Sequence, residues 1–501
     1  MVIGMCIGES SPTEVAFISK TMPMSGEYVV LEYDGMKILG MVEALVRGSP
    51  SISGDIIDPA VVERILGFEG ADEHYVRGKV RLLGDVDSLQ IPRVPPPPGT
   101  KIKRASSATL RKIFGSGTIK IGRLLSHPDV ELLIDGNRMI TRHLAILAIT
   151  GAGKSNAVSV IVDGILKLNG MPVIFDMHSE YANAEFDRGG GEGGGGVNHI
   201  VPKLNPVYLS ASEFKILVDV GKDAYVQERY LRKAYTQART DASEGRGKDF
   251  VKNVVSVLED VRAKEIDEGA TSSEKNALIG VINKVEDFEL KYRGLVDAHA
   301  PDVLDLLVQG KLNVIDLGQV DEDYADVIVS HVLRKILYNR KNGSIPPAFC
   351  ILEEAHILAP IHRSTLSKYW IDRIAREGRK FGVGLCLVSQ RPKSLDTNSL
   401  SQANNTVIMK LVEPSDQRHV QQASERLSDD LLSQLTSLNI GEAIVIGPMT
   451  RIPALVKIDR FAGKLSGGDP DIIEEWESSA REKDERIKSE KKELEDLYGD
   501  M

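Results

Sequence analysis

The alternation of apolar and polar residues changes character near residue 100. Before it, short runs favour extended chain. Residues 27–33 and 36–42 are rich in β-branched and aromatic side chains and are joined by Asp34-Gly35, a strong two-residue hairpin signal. Residues 13–19 and 75–83 supply further strands, and short strands joined by tight turns predict a small β-barrel over residues 1–95. Beyond residue 100 the alternation gives way to an unbroken apolar run at 144–149 and to predominantly apolar runs at 172–176, 312–317, 347–352, 383–389 and 406–411. Strands read this way when helices cover both faces of a parallel sheet. Helical periodicity lies between them: Val158, Ile161, Val162, Ile165 and Leu168 share one face of a helix expected over 156–168. The expected fold class is α/β, with residues 124–134 an edge segment and 442–446 with 454–459 a terminal strand pair.

Interruptions in this pattern divide the chain. Arg93-Val-Pro-Pro-Pro-Pro-Gly-Thr100 reads as a stiff linker that cannot pair in a sheet, hence a domain boundary. Residues 187–197, DRGGGEGGGGV, are too glycine-rich to hold one conformation and are expected to be mobile. Residues 210–291 read as charged amphipathic helices, with Thr271-Ser-Ser-Glu274 an N-terminal capping signal before 277–288. Their Lys and Arg alternate with acids, which suits a solvated face. The core is thus expected in two parts, 96–186 and 301–466, around an insertion at 187–300. In the charged tail, 467–501, Ile473, Ala480, Ile487 and Leu494 stand seven residues apart and Trp476 and Leu497 fit the second heptad position, but Lys483 and Glu490 break it. A frayed helix or one lying on another subunit would both fit.

Composition narrows the class. At 501 residues the prior is about three domains, and 42% hydrophobic with 27% charged residues is ordinary for a globular protein. A net charge of −10 argues against a surface that is basic all over, yet a protein surrounding DNA needs positive charge only along its channel. No run is long enough to span a bilayer and the N-terminus lacks a signal-peptide pattern, so a cytoplasmic location and no membrane partner are expected. Cys6, Cys350 and Cys386 have no metal spacing and read as reduced core thiols.

The chemistry concentrates at strand ends. The run at 144–149 feeds directly into Gly151-Ala152-Gly153-Lys154-Ser155-Asn156, and a helix follows. In such a P-loop, backbone N–H groups and the helix N-terminus converge on a polyphosphate, Lys154 neutralises its β/γ oxygens and Ser155 is placed to ligate Mg²⁺. Ala148 stands where the pattern has its first glycine, a turn Ala can hold if its φ stays negative. The run at 347–352 ends in Glu353-Glu354, the Walker B arrangement: Glu353 would hold Mg²⁺ through water and Glu354 would polarise the attacking water. Two acids at a helix N-terminus would also be favoured by the dipole alone. Gln390 ends the 383–389 strand, well placed for the γ-phosphate or its water. Asp176, His178, Glu180 and Tyr181 follow the second strand, where they would position metal-bound water or sense nucleotide state.

Arg373, Arg376 and Arg379 lie three residues apart on one helical face, suiting a subunit interface where one guanidinium, Arg379 by preference, stabilises transition-state charge in a neighbour's site. Arg142 begins the phosphate strand about 20 Å from the cradle, too far to reach the γ-phosphate of its own subunit; the other end of that nucleotide, a neighbour's nucleotide or plain solvent all suit it. Residues 362–368 and 393–405 follow strand ends and are expected to line a DNA channel, with Lys368 and Lys393 as contacts.

These pieces resemble the HerA family of archaeal hexameric DNA translocases in the HerA/FtsK superfamily. The likeness runs over nearly the full length: barrel, Pro linker, RHLAILAITGAGKSN, VIFDMHSEY, helical insertion, CILEEAH, IAREGRKFGVGLCLVSQRP and RIPALVKIDRF. It implies a RecA-like P-loop NTPase core with an N-terminal HAS barrel, and a homo-hexameric ring that uses ATP and Mg²⁺ to thread double-stranded DNA without regard to sequence. It further implies partnership with the nuclease NurA, docked through the barrel, in end resection at double-strand breaks. It adds Arg142, Asp459 and Arg460 as nucleotide neighbours. The expected function is an ATP-driven DNA translocase and helicase. An ATP-gated clamp that recruits a nuclease, or an FtsK-like or conjugation-type DNA pump, are the alternatives.

Overall fold

Six antiparallel strands make the N-terminal barrel: β1 (Val2–Ser10), β2 (Glu14–Ser19), β3 (Tyr28–Tyr33), β4 (Met36–Gly48), β5 (Tyr75–Asp85) and β6 (Lys101–Arg104), closed in the order β1-β2-β5-β4-β3-β6. Alternation fills it: Val15 and Phe17 from β2, Val29 and Leu31 from β3, Ile38 and Val42 from β4, and Val80 and Leu82 from β5 form its core. Asp34 and Gly35 both take positive φ, 47° and 75°, as a two-residue hairpin turn requires. This computed structural model describes residues 1–52, 54–68, 74–186, 196–246, 249–267, 271–424, 427–465, 472, 476 and 478.

The boundary expected at residue 95 moves. Rather than leaving the barrel, the polyproline segment straps across it. Ser10 Oγ donates to Pro96 O at 2.6 Å, Tyr33 OH donates to Val94 O at 2.9 Å, and Gly99 N–H donates to Cys6 O at 2.9 Å, after which the chain enters β6. Proline lacks a donor but keeps its carbonyl, so the proline stretch is held as an acceptor, and Gly99 beyond it supplies the donor.

The second sheet has eleven strands. These are β7 (Ile119–Leu124), β8 (Glu131–Ile134), β9 (Leu144–Leu147), β10 (Pro172–Asp176), β11 (Val197–Ile200), β12 (Leu312–Asp316), β13 (Ala348–Leu352), β14 (Val383–Ser389), β15 (Asn405–Ile408), β16 (Glu442–Ile446) and β17 (Ala454–Ile458). Their order is β11-β12-β10-β13-β14-β9-β15-β16-β17-β7-β8. Pairing is parallel from β11 to β15 and antiparallel from β15 to β8, so the expected edge segment is the β7–β8 hairpin. Every residue of β9, β10, β13, β14 and β15 is buried, the physical reason their sequences are predominantly apolar.

β11 lies inside the range read as insertion, because Val-Asn-His-Ile is too short and polar to signal a strand alone. After it, Phe214 packs on Tyr235, Phe250 and Phe288 to form an aromatic centre for the inserted helices. Thr271 and Glu274 form the expected capping box. The glycine-rich stretch at 187–195 and the tail's heptad positions other than Trp476, which is exposed, lie outside the described residues. Among the described residues no helix is long and apolar enough to cross a membrane.

The barrel is docked on the far part of the sheet. Tyr28 OH donates to Pro453 O at 2.8 Å. Glu43, buried on β4, accepts Ser428 Oγ on Oε1 at 2.8 Å, its carbonyl accepts Gln434 Nε2 at 2.9 Å, and Arg81 pairs with it at 3.4 Å.

Phe17 has no exposed surface in the barrel core. Phe17→Ala is expected to lower the unfolding free energy by about 3–5 kcal/mol in denaturant titration. A loss below about 1 kcal/mol would contradict a packed barrel interior.

Candidate active site

Strand order decides what meets at the C-terminal end of the sheet. β14 lies between β9 and β13, so the residue after it sits between the loop that follows β9 and the acids that follow β13. That residue is Gln390, and Thr150 Oγ1 donates to its Oε1 at 2.5 Å.

The loop after β9 takes the backbone its glycines permit. Gly151 has φ 76° with open space where a Cβ would project. Gly153 has φ 103° at the helix N-cap, and a Cβ there would stand 3.2 Å from Met409 Cε. The helix Lys154–Lys167 starts at this point. Ala148 is fully buried, its φ is not positive, and its N–H donates to Ser389 O at 3.3 Å, so its backbone does not require a glycine.

Charge then organises the site. Lys154 Nζ lies 2.6 Å from Glu354 Oε1 and 3.6 Å from Glu353 Oε2. Burial opposes its charge, but Glu353 and Glu354 outweigh that and hold its pKa above the ordinary value. Burial pushes the Glu353 carboxyl up to about 7 against the pull of Lys154. Burial works the same way on Glu354, yet His356 and Lys154 prevail and hold it down at about 2. Glu354 occupies the left-handed region at φ 46°, a strained backbone for a non-glycine residue. Its Oε2 lies 3.1 Å from His356 Nδ1, an ion-pair distance without hydrogen-bond alignment, and has no hydrogen-bond partner among the described residues.

Two further bonds complete the cluster: Ser155 Oγ donates to Glu180 Oε2 at 2.7 Å and Tyr181 OH donates to Glu353 Oε1 at 2.9 Å. Three carboxylates therefore face one ammonium, with an orphaned buried oxygen and an open glycine loop beside them. Such a set fits a polyphosphate carried with a divalent cation: the phosphates take Lys154 and the loop N–H groups, and the cation offsets the acids. Among the described residues, no group of three or more His, Cys, Asp or Glu is placed to hold a metal ion without such a ligand.

Asn156 reaches the end of β17: its Nδ2 donates to Asp459 O at 2.9 Å and its Oδ1 accepts Phe461 N–H at 2.8 Å. The Asp459 carboxylate pairs with Lys120 at 3.2 Å, and Arg460 is exposed.

The arginines lie elsewhere. Arg142 caps the short helix Gly136–Thr141 at the N-terminal end of β9 and lines a polar cleft with Ser401, Asn404 and Gln422. The helix Leu366–Phe381 ends at the same side, where Ala375 O meets His143 Nε2 at 3.1 Å, and Arg376 and Arg379 are exposed beside it. Neither Arg142 nor Arg379 is brought to the cradle of its own chain. Arg373 is engaged locally, 3.4 Å from Glu377 and over the Trp370 ring. Lys368 pairs with Asp396 at 2.8 Å and Lys393 with Glu413 at 2.5 Å.

Sequence reading missed Thr150 and His356. The signal for His356 was present in Glu353-Glu354-Ala355-His356, where a short helix folds the imidazole back toward Glu354. Thr150 carried no pattern of its own.

Between pH 4.5 and 7 the folded chain keeps a proton on Glu353 that the unfolded chain has lost, so its contribution to stability falls as pH rises through that window. In metal-free buffer, Glu353→Gln is therefore expected to match the parent near pH 4.5 and to exceed it by about 3 kcal/mol above pH 7 in thermal or denaturant unfolding. A difference that does not change with pH would contradict the buried, proton-holding carboxyl.

Comparison with known proteins agrees with the barrel and the P-loop core. Residues 3–88 match the HAS barrel domain and residues 119–336 match the central domain of helicase HerA. The chain is 41% identical over 496 residues to the DNA double-strand break repair helicase HerA of Sulfurisphaera tokodaii, covering 97% of this chain and 98% of that one. It is 40% identical over 488 residues to the protein of that name from Saccharolobus solfataricus, covering 95% and 96%. Among solved structures, VirB4 of Thermoanaerobacter pseudethanolicus superposes with a TM-score of 0.50 at 15% identity, covering 69% of this chain and 96% of that one. The plasmid coupling protein TrwB with an ATP analogue gives 0.50 at 14% identity, covering 73% and 95%, a likeness of fold alone. With the barrel, the P-loop core and close relatives across nearly its whole length, the chain belongs to the HerA family of DNA helicases.

Proposed function

We propose that this chain hydrolyses ATP to move double-stranded DNA, as a ring of six copies acting with the nuclease NurA to resect ends at double-strand breaks. The observation that carries the reading is Lys154 held between Glu353 and Glu354, with Gln390 tied to the P-loop beside them.

In this reading the N–H groups of residues 151–155 and Lys154 bind the β- and γ-phosphates. Ser155 directly and Glu353 through water would hold Mg²⁺, which supplies charge neutralisation at the phosphate oxygens when bound. Glu354 acts as general base. Its low pKa depends in part on Lys154, so drawing that ammonium onto the phosphates raises the proton affinity of Glu354. The base is thereby activated by substrate. Gln390 orients the attacking water, and Asn156, Asp459 and Arg460 flank the nucleotide.

Arg379, and Arg142 at the same end of the sheet, serve an adjoining subunit. Their distance from their own cradle supports this, since an arginine that cannot reach its own nucleotide contributes only across a boundary. Contacts to DNA go to the phosphate backbone and carry no base code, so binding falls steeply with salt. Lys368 and Lys393, each already paired with an acid, must exchange that partner for phosphate to take part.

Displacement of a third strand from linear duplex DNA tests the motor directly. ATP-dependent displacement that stops with a non-hydrolysable analogue is expected, and NurA added to the reaction is expected to shorten ends only while ATP is hydrolysed. Hydrolysis without displacement would overturn the motor in favour of an ATP-gated clamp. NurA digestion indifferent to this chain would remove the partnership.

A further inference from the structure

We infer that the turn at residues 176–181 is the outer shell of the divalent-cation site, with Glu180 and Tyr181 as positioning residues for the two cation-facing side chains, Ser155 and Glu353. This rests on the assignment of those two residues to Mg²⁺ made above and extends it to a turn that supplies no ligand of its own.

The turn is clamped at several points. Asp176, which ends β10, accepts the His178 N–H on Oδ1 at 3.2 Å and the Tyr181 N–H on Oδ2 at 2.8 Å. Its carbonyl accepts the Leu317 N–H at 2.8 Å. Ser179 sits in the left-handed region at φ 56°, and its Oγ donates to Asp316 Oδ1 at 2.7 Å. Gly318 makes room for it, since a Cβ there would lie 2.2 Å from that oxygen. A Ser in strained backbone, held by a carboxylate from the neighbouring strand, marks a turn fixed by its surroundings.

From this fixed turn two successive side chains go to the two metal-assigned residues. Glu180 accepts the Ser155 hydroxyl proton, and Tyr181, fully buried, donates to Glu353. The chemistry of each bond is that of an outer shell. A hydroxyl that gives its proton to a carboxylate keeps its lone pairs free and turned away from that acceptor, ready for a cation. A cation-bound hydroxyl is more acidic and needs a strong acceptor for its proton, which a carboxylate supplies. On Glu353, the phenol occupies Oε1, and Oε2 is the oxygen facing Lys154 at 3.6 Å. Glu180 also adds a third negative charge to a cluster with one ammonium, and so raises the cluster's attraction for a divalent cation.

The test uses the full chain and the non-hydrolysable analogue ADPNP, whose affinity is measured in EDTA and across a Mg²⁺ titration. Mn²⁺ binding by electron paramagnetic resonance serves as an independent readout. Glu180→Ala is expected to bind ADPNP in EDTA within about twofold of the parent but to need about 10–100-fold more Mg²⁺ or Mn²⁺ for the same tightening. Glu180→Gln, whose amide oxygen still accepts the Ser155 proton, is expected to recover part of that loss, and Tyr181→Phe to shift cation affinity in the same direction. Glu180→Ala with the parent's cation dependence, or with binding weakened equally in EDTA and in Mg²⁺, would overturn the inference. Ser155→Ala separates the layers: if it loses the cation response while Glu180→Ala keeps it, the outer shell alone fails. If Ser155→Ala also keeps it, the cation assignment beneath fails too.

Discussion

One ammonium shared between two buried carboxylates is the constraint on which the site depends. Lys154 sits 2.6 Å from Glu354 and 3.6 Å from Glu353, almost out of water, with Glu180 a third acid on the adjoining serine. Buried charges of unequal number are costly unless more positive charge arrives or protons remain. Here the cost falls on Glu353, which burial drives up to about 7, while Glu354 stays ionised against Lys154. The cluster is balanced internally only as long as Lys154 has no better partner. In the proposed reading a polyphosphate is the better partner, and its arrival would redistribute the charges that set the base.

The sheet makes that balance possible. Placing β14 between the phosphate strand and the acid strand separates Lys154's loop from Glu353 and Glu354 by one intervening strand, and puts Gln390 in the space between. Two strand spacings, about 10 Å in all, leave room for a long lysine to cross and for a water to stand beside the glutamine. The same parallel order sends the helix after β13 back to the opposite end of the sheet, carrying Arg376 and Arg379 away from the cradle and toward Arg142. One chain thus holds the cradle at one end and a set of exposed arginines at the other. That polarity suits copies arranged head to tail, each end completing the next.

Much of this was legible in the sequence, because buried parallel strands announce themselves as predominantly apolar runs and their polar terminators mark the ligand-binding end. Gly151 to Asn156, Glu353, Glu354 and Gln390 were found in this way, and the structure brings them together. What escaped notice depended on tertiary geometry. The strap at Val94 to Pro97 looked like an exit from the barrel because proline cannot join a ladder, but its carbonyls bind across β1 and β3 and β6 returns to close the sheet. β11 is only Val-Asn-His-Ile and takes its identity from pairing with β12. Thr150 meets Gln390 across strands, a contact no local spacing encodes, whereas His356 meets Glu354 only two residues away and was passed over despite that spacing. Tyr181 and Glu180 were visible as polar residues after a strand, but their division between Glu353 and Ser155 follows from the twist of a single clamped turn.

The measurement closest to the centre is the steady-state rate of ATP hydrolysis with and without linear duplex DNA at fixed salt, with Glu354→Gln alongside. Duplex DNA is expected to stimulate the parent, and Glu354→Gln, which keeps its neighbours but has no base, to lose at least about a hundredfold in rate with or without DNA. Hydrolysis by Glu354→Gln at the parent's rate would contradict the role of Lys154 and its two carboxylates in setting the base. A parent rate untouched by DNA that it binds well would contradict the coupling of that chemistry to movement.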